Sequence, residues 1–382
     1  MKTTGPLSKE TALLVVLVLL LCVVTFSGCG NDRATPHFSE DIVERLDTAI
    51  ASEMKYDDLP GVVVGVWVPK EGQYVIAKGK ANLETGKRRD LEDPFRIASI
   101  TKTFTATAIL QLVEDGKLSK SDTLSKWYPD FPNADQITVE DLLRMRSGIA
   151  EPIDEEWWED YQENPLVDIS AEDMIERSAS RGGRFVNPGQ RTVYTNVNYL
   201  LLGEIVEKVS GEDLGTYITQ TILEPLGLEN TIYPANHDLP GDLHGYSRDI
   251  STGELKDMTN LNPAPFGGEG AMISDISDLK RWAEAVCTGK LLEPQTHRSR
   301  LQTRPIEGWT AHEEYGEGIV KVGSFCGHPG NLPGFSSEMW YLPQKDAIIV
   351  INANRVDPNT TPPAHILART IIEILFPKHA SW

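Results

Sequence analysis

Strand-forming runs lie at the two ends of this 382-residue chain, and helical spacing fills the space between them. Near the start, 62–68 and 73–79 are β-rich and joined by Pro69-Lys70-Glu71-Gly72, which predicts a hairpin. Strand patterns return only at 318–322, 335–341 and 347–352, and a helix over 364–375 closes the chain. An earlier helix opens at Ser39, with Ile42, Val43, Leu46 and Ile50 on one face. Short hairpin links imply antiparallel neighbours, so the two groups of strands share a sheet only if the chain returns to its beginning. The expectation is an α+β fold. One antiparallel sheet is built from both ends and flanked by terminal helices, with a large, mostly helical insertion from Phe95 to about Leu301. A ligand cleft is expected where insertion and sheet meet.

A net charge of −20 excludes recognition of nucleic acid through a basic surface. Lys2 and Lys9 precede an almost wholly apolar run from Thr11 to Phe26, too short for a spanning helix and followed by Ser27-Gly28-Cys29. Residues 1–28 read as a lipoprotein-type signal peptide, with Cys29 as the lipidated first residue, 29–37 as a tether and 38–382 as one domain. Plain secretion with cleavage nearby is the other reading. Either way the mature protein is expected outside the cytoplasmic membrane, touching it only through the lipid. An oxidising compartment permits a disulfide between Cys287, on a predicted helix, and Cys326, on a predicted strand, and the sequence leaves that pairing open. The eight histidines are scattered without metal-ligand spacing, so no metal and no cofactor are expected.

The chemistry gathers around Pro94-Phe95-Arg96-Ile97-Ala98-Ser99-Ile100-Thr101-Lys102, which runs into an apolar, small-residue helix stopped by Asp115-Gly116. Ser99 and Lys102 share a helix face, about 5–6 Å apart at Cβ. The lysine can then manage a proton at the serine hydroxyl, and the helix N-terminus offers N–H groups to an oxyanion. Ser-x-x-Lys also occurs at Ser52/Lys55 and Ser277/Lys280, but those copies sit on amphipathic, solvated segments. Further on, Tyr194-Thr195-Asn196 precedes a helix over 200–209 and is the chain's one Tyr-x-Asn. A lysine cation can lower a tyrosine's pKa enough to make it a base, and the asparagine amide can hold a substrate carbonyl. Taken alone, the same residues read as a core tyrosine and a capping asparagine. A third element, Gly327-His328-Pro329-Gly330-Asn331-Leu332-Pro333-Gly334-Phe335, is expected between two strands, its glycines admitting a ligand close to the backbone.

Together these elements resemble the serine β-lactamase and penicillin-recognising D-alanyl-D-alanine carboxypeptidase family, in its class C-like branch that also holds esterases. The resemblance runs from about Phe38 to the C-terminus and includes 138–148 and Glu224-Pro225-Leu226-Gly227-Leu228. It implies that Ser99 is acylated, Lys102 assists its deprotonation, and Tyr194 shuttles the proton to the leaving group and activates water. It also implies that Asn196 holds the substrate amide, His328 keeps the cleft electropositive, and the N–H groups of Ser99 and Asn331 form the oxyanion hole, beside Gly330. One departure stands out: the middle of the third element commonly carries a hydroxyl that helps bind a substrate carboxylate, and here it is Pro329. The implied function is an extracytoplasmic serine hydrolase. A D-Ala-D-Ala-like peptide or related amide of the cell wall is the substrate, with an ester or a β-lactam as the alternative. A surface-binding protein without catalysis has no use for the intact set Ser99, Lys102, Tyr194 and Asn196. The acidic, aromatic stretch 154–161 either walls the substrate pocket or is an exposed loop over packed aromatics.

Overall fold

The computed structural model describes residues 37–181, 187–249 and 251–380, together with Met1. The proposed signal segment, Cys29 and nearly all of the tether lie outside the described residues. Among the described residues no helix is long and apolar enough to cross a membrane.

Helix α1 (Glu40–Tyr56) buries Leu46 and Ile50 and leads into the predicted hairpin, β1 (Gly61–Val68) and β2 (Gly72–Gly79). The helices that shape the site are α2 (Thr101–Glu114), α3 (Glu155–Glu163), α4 (Val197–Ser210) and α5 (Gly267–Gly270), followed by α6 (Ile276–Thr288). The other strands of the main sheet come late: β3 (Arg304–Pro305), β4 (Glu313–Tyr315), β5 (Val320–Val322), β6 (Phe325–Leu332), β7 (Phe335–Leu342) and β8 (Ala347–Ala353). Helix α7 (Pro363–Leu375) closes the chain.

Eight strands run in the order β2-β1-β8-β7-β6-β5-β4-β3. The return of the chain is the antiparallel β1/β8 ladder, from Val62 opposite Ala353 to Trp67 opposite Ile348. Every residue of β7 and β8 is buried. Alternate side chains of a strand point to opposite faces, so the middle of the sheet is covered on both. α6 and α7 pack on these strands and α7 also packs on α1, giving the flanking terminal helices that the pattern implied.

The third element departs from expectation. It is itself a strand, β6, paired with β7 from Cys326 opposite Tyr341 to Leu332 opposite Phe335, and only Pro333-Gly334 forms the turn. β5 pairs with β6 only from Phe325 to Gly327, so Pro329 has a strand partner on one side alone, an edge position where a proline is tolerated. Cys287 on α6 and Cys326 on β6 form a disulfide, with Cα atoms 6.0 Å apart, which closes the question left by the sequence.

Helix α2 is the buried axis of the molecule: every residue from Thr101 to Leu110 is buried. A helix enclosed on all sides must satisfy its own polar groups. Thr103 donates to the Ile100 carbonyl at 2.7 Å, and Thr107 donates to the Thr103 carbonyl at 2.7 Å. From α6, Trp282 stacks on Phe104 at 4.1 Å between ring centroids and donates its indole N–H to Thr103 Oγ1 at 2.7 Å. The buried Arg300 guanidinium donates to Thr107 Oγ1 at 2.8 Å and to the Thr103 carbonyl at 2.9 Å. Side chains held this tightly let α2 present its first turn in one fixed position.

Candidate active site

Ser99 lies in the 3-10 turn Ala98–Ile100 that feeds α2. The residue before it, Ala98, has φ of 46°, a left-handed conformation that costs a residue with a Cβ about 1–3 kcal/mol. Neighbouring contacts hold the strained turn. Ile97 N–H donates to the Met272 carbonyl at 3.0 Å, and Met272 N–H donates to Thr101 Oγ1 at 3.1 Å. On the other side β6 presses against it at Gly330, where a Cβ would stand 2.2 Å from the Ile97 carbonyl oxygen. Only glycine permits that approach, which sets the strand backbone at Asn331 beside the Ser99 turn.

Lys102 is fully buried, one turn along, and its three N–H bonds have three acceptors. Nζ donates to Ser99 Oγ at 2.8 Å, to the Glu269 carbonyl oxygen at 2.9 Å and to Glu269 Oε2 at 2.5 Å. Burial alone would pull the lysine's pKa down, but the Glu269 carboxylate and the nearby Tyr194 more than offset it, so the ammonium is held above its ordinary value. Glu269 is buried on α5, beside Gly268, whose carbonyl accepts from Thr105 Oγ1 at 2.7 Å. α5 packs so closely on α4 that a Cβ at Gly268 would come 2.7 Å from the Tyr199 carbonyl. Thr101 and Thr105, one turn apart on α2, thus fasten 268–272 over the lysine between them.

Tyr194 closes the group. Lys102 Nζ is 5.1 Å from its ring centroid, and the Lys102 and Ser99 side chains both act on its hydroxyl, favouring the phenolate. Trp309 stacks on the ring at 5.3 Å and Tyr315 meets it edge-on at 5.9 Å. The expectation that Lys102 would lower the tyrosine's pKa is corrected. Burial pushes it up and outweighs the pull of Lys102, so the resting side chain is a neutral phenol. Tyr194, distant in the chain, therefore stands beside the neighbouring Ser99 and Lys102, as the sequence implied.

Asn196 stands at the start of α4. Its backbone N–H donates to Glu151 Oε2 at 2.7 Å and its side-chain Nδ2 donates to Glu151 Oε1 at 3.3 Å. A carboxylate only accepts, so this arrangement fixes the amide and leaves Oδ1 buried without a partner. Asn196 therefore offers an acceptor for a substrate N–H, where the sequence suggested a donor to a carbonyl.

His328 is buried on β6, its ring 6.2 Å from that of Tyr194. Nδ1–H donates to the Pro329 carbonyl at 2.6 Å, and Nε2 has no partner. Burial, then the charge of Lys102, pushes the imidazole's pKa down to about 3. The ring is neutral and cannot keep the cleft electropositive; with Lys102 paired to Glu269, that expectation fails on both counts. Asn331 is exposed and opens onto a cleft of about 400 Å³, whose lining includes Trp158, Gln162, Ser247 and Asn359. Residues 155–161 of the stretch left open form a helix, α3, and not a loop, and the cleft beside it shares only Asn331 with the candidate site residues. Trp158 faces the cleft, while Trp157 and Tyr161 are buried against Phe266 at 6.1 and 5.3 Å. Of the rival Ser-x-x-Lys copies, Lys280 lies 4.7 Å over the Trp67 ring, away from this group.

Two functional side chains escaped the sequence reading. Glu151 stands just before the acidic stretch 154–161 and carries no local signal that sets it apart from those acids. Glu269 carried a signal, a lone acid within Gly267-Gly268-Glu269-Gly270-Ala271, where no solvated face exists to hold it.

Similarity to known proteins agrees with this geometry. The Beta-lactamase family matches residues 46–372. The chain is 28% identical over 340 residues to protein flp of Staphylococcus aureus (strain COL), an alignment covering 83% of this chain and 64% of that protein. It thus spans just under two thirds of that longer relative. It is 29% identical over 332 residues to the putative penicillin-binding protein PbpX of Bacillus subtilis (strain 168), covering 84% of this chain and 78% of that one. Among solved structures, a D-stereospecific amidohydrolase from Streptomyces sp. superposes with a TM-score of 0.76 at 26% identity, covering 88% and 97% of the two chains. An octameric penicillin-binding protein homologue from Pyrococcus abyssi gives 0.75 at 27% identity, covering 87% and 77%. With Ser99, Lys102 and Tyr194 gathered on this fold, the chain belongs to the beta-lactamase family, within the serine hydrolase superfamily.

Proposed function

We propose that the protein is an extracytoplasmic serine amidase that forms an acyl-enzyme on Ser99, acting on a D-amino-acyl amide or peptide amide of the cell-wall type. The observation that carries the reading is the 2.8 Å hydrogen bond from Lys102 to Ser99, made at a strained turn with Tyr194 alongside. Ser99 Oγ attacks the acyl carbon, its proton passes into the Lys102–Tyr194 group, and the same group returns a proton to the leaving nitrogen. Backbone N–H groups at Ser99 and Asn331 are the donors for the oxyanion. Asn196 Oδ1 accepts an N–H from the substrate, a partner that an amide backbone supplies. The Streptomyces neighbour's description as a D-stereospecific amidohydrolase supports the substrate class. A free C-terminal carboxylate, as in D-Ala-D-Ala, is a poorer fit. Pro329 offers no hydroxyl, and among the described residues the lining of the cleft at Asn331 holds Asp154, Glu155 and Asp357 but no lysine or arginine. That same lining favours an ester as the second substrate class.

A side-by-side panel tests the reading: a D-amino acid amide, a D-Ala-D-Ala tripeptide, p-nitrophenyl esters and a chromogenic cephalosporin. The amide is expected to turn over fastest and Ser99→Ala to abolish turnover and labelling by a fluorophosphonate. Equal labelling of wild type and Ser99→Ala refutes catalysis at this serine, and fast ester turnover without amide cleavage moves the assignment to an esterase.

A further inference from the structure

Among the described residues the resting site holds no strong base that is free: the unpaired nitrogen, His328 Nε2, belongs to an imidazole whose pKa is pushed down to about 3. Lys102 is an ammonium with all three N–H bonds engaged, Tyr194 is a phenol, and His328, although neutral, directs its only donor at Pro329. The proton that leaves Ser99 must nevertheless go somewhere before the leaving group can take it. The Nζ to Oε2 contact at 2.5 Å points to the acceptor: Glu269 is the one carboxylate in direct contact with Lys102 among the described residues. A buried ion pair is on average little better for stability than a well-packed apolar pair, so stability alone does not account for an acid here.

We propose that Lys102 and Glu269 act as one proton-accepting unit, with Glu269 the positioning residue that stores the proton while the oxyanion exists. Lys102 Nζ first gives one proton to Glu269 Oε2, and the resulting amine turns its lone pair toward Ser99. As Ser99 Oγ forms its bond to the acyl carbon, its O–H bond breaks and the proton moves to that lone pair. The products are the oxyanion, a lysine that is still an ammonium, and a neutral carboxylic acid, so charge and protons balance. On collapse the proton retraces its path through Nζ and is delivered by Tyr194 to the leaving nitrogen, and water enters by the same relay in deacylation. The surroundings favour such a store. Burial raises the carboxyl's pKa more than Lys102 lowers it, and Glu151, from the segment before α3, raises it further. The other titratable groups facing the pair are Tyr194, from the segment before α4, and His328 on β6, both uncharged at rest.

This proposal rests on acyl transfer at Ser99, and a boronic acid probe separates the two. Forming the tetrahedral Ser99 boronate creates an anion and releases one proton. Infrared difference spectra of the wild type are expected to gain a protonated-carboxyl band on adding an alkylboronic acid, and Glu269→Gln is expected to lack it. In parallel, the acid limb of kcat/KM for Glu269→Gln should move up by one or more pH units with KM within about threefold, because only a neutral Lys102 then serves as base. An adduct without the carboxyl band, or a Glu269→Gln profile with its acid limb in place, overturns the storage role and leaves the hydrolase standing. Absence of any Ser99 adduct overturns the hydrolase reading itself.

Discussion

Replacing Lys102 with methionine separates the lysine's electrostatic role from its chemistry. Methionine fills similar space but leaves Glu269 buried, with its side chain 5% exposed, and without a counter-ion. An isolated buried carboxylate is prohibitive, so Glu269 takes up a proton instead. Holding the acid neutral near pH 7, against an ordinary pKa of about 4.3, costs about 1.4 kcal/mol per pH unit, or about 3.7 kcal/mol in all. This agrees with the roughly 3–5 kcal/mol typical of breaking a buried pair. The sign follows from proton counting. In the variant the folded state binds the proton more tightly than the unfolded chain, so stability falls as pH rises above the unfolded pKa. The deficit relative to wild type should therefore shrink to about 1 kcal/mol near pH 5. Urea unfolding of wild type, Lys102→Met and Lys102→Met/Glu269→Gln at both pH values measures this directly, and the double variant should recover most of the loss near pH 7. A deficit that ignores pH, or a double variant no more stable than the single one, refutes the argument that the lysine neutralises a buried acid.

Three further outcomes follow from the geometry. Tyr194→Phe, which keeps the stacking on Trp309, should lower kcat by about 10²-fold or more with little change in Tm; an unchanged rate removes the tyrosine from proton delivery. The His328 imidazole, with its pKa pushed down to about 3, should show no titration by NMR between about pH 5 and 8. A histidine held low in the folded state costs stability only as pH falls below its unfolded pKa of about 6.5, so His328→Asn should flatten that acid-side loss. Replacing Cys287 and Cys326 with serine opens a cross-link between positions 39 residues apart and should lower stability by about 2–4 kcal/mol in denaturant unfolding.

What could be read in advance was whatever a periodic pattern records. The β1–β2 hairpin, the late strands and the return of the chain follow from alternation and short links, and Ser99, Lys102 and Tyr194 follow from residue types at fixed offsets. β6 escaped because glycine and proline are turn signals, and only its pairing along β7 makes Phe325–Leu332 a strand. Electrostatics were least legible. Whether Tyr194 and His328 carry charge depends on burial and on Glu269, which approaches Lys102 from 167 positions away. No local window contains that contact.

The β1/β8 ladder also bears on how the molecule is made. The first strand to leave the ribosome pairs on one side with β2, but its other edge waits for Ala347–Ala353, near the end of synthesis. Until then a nascent valine-rich strand offers unpaired backbone to any neighbour, and the long-range closure is intrinsically slow. Misassembly during folding should centre on this edge, and chains truncated before residue 347 should aggregate even though all of α2 is present.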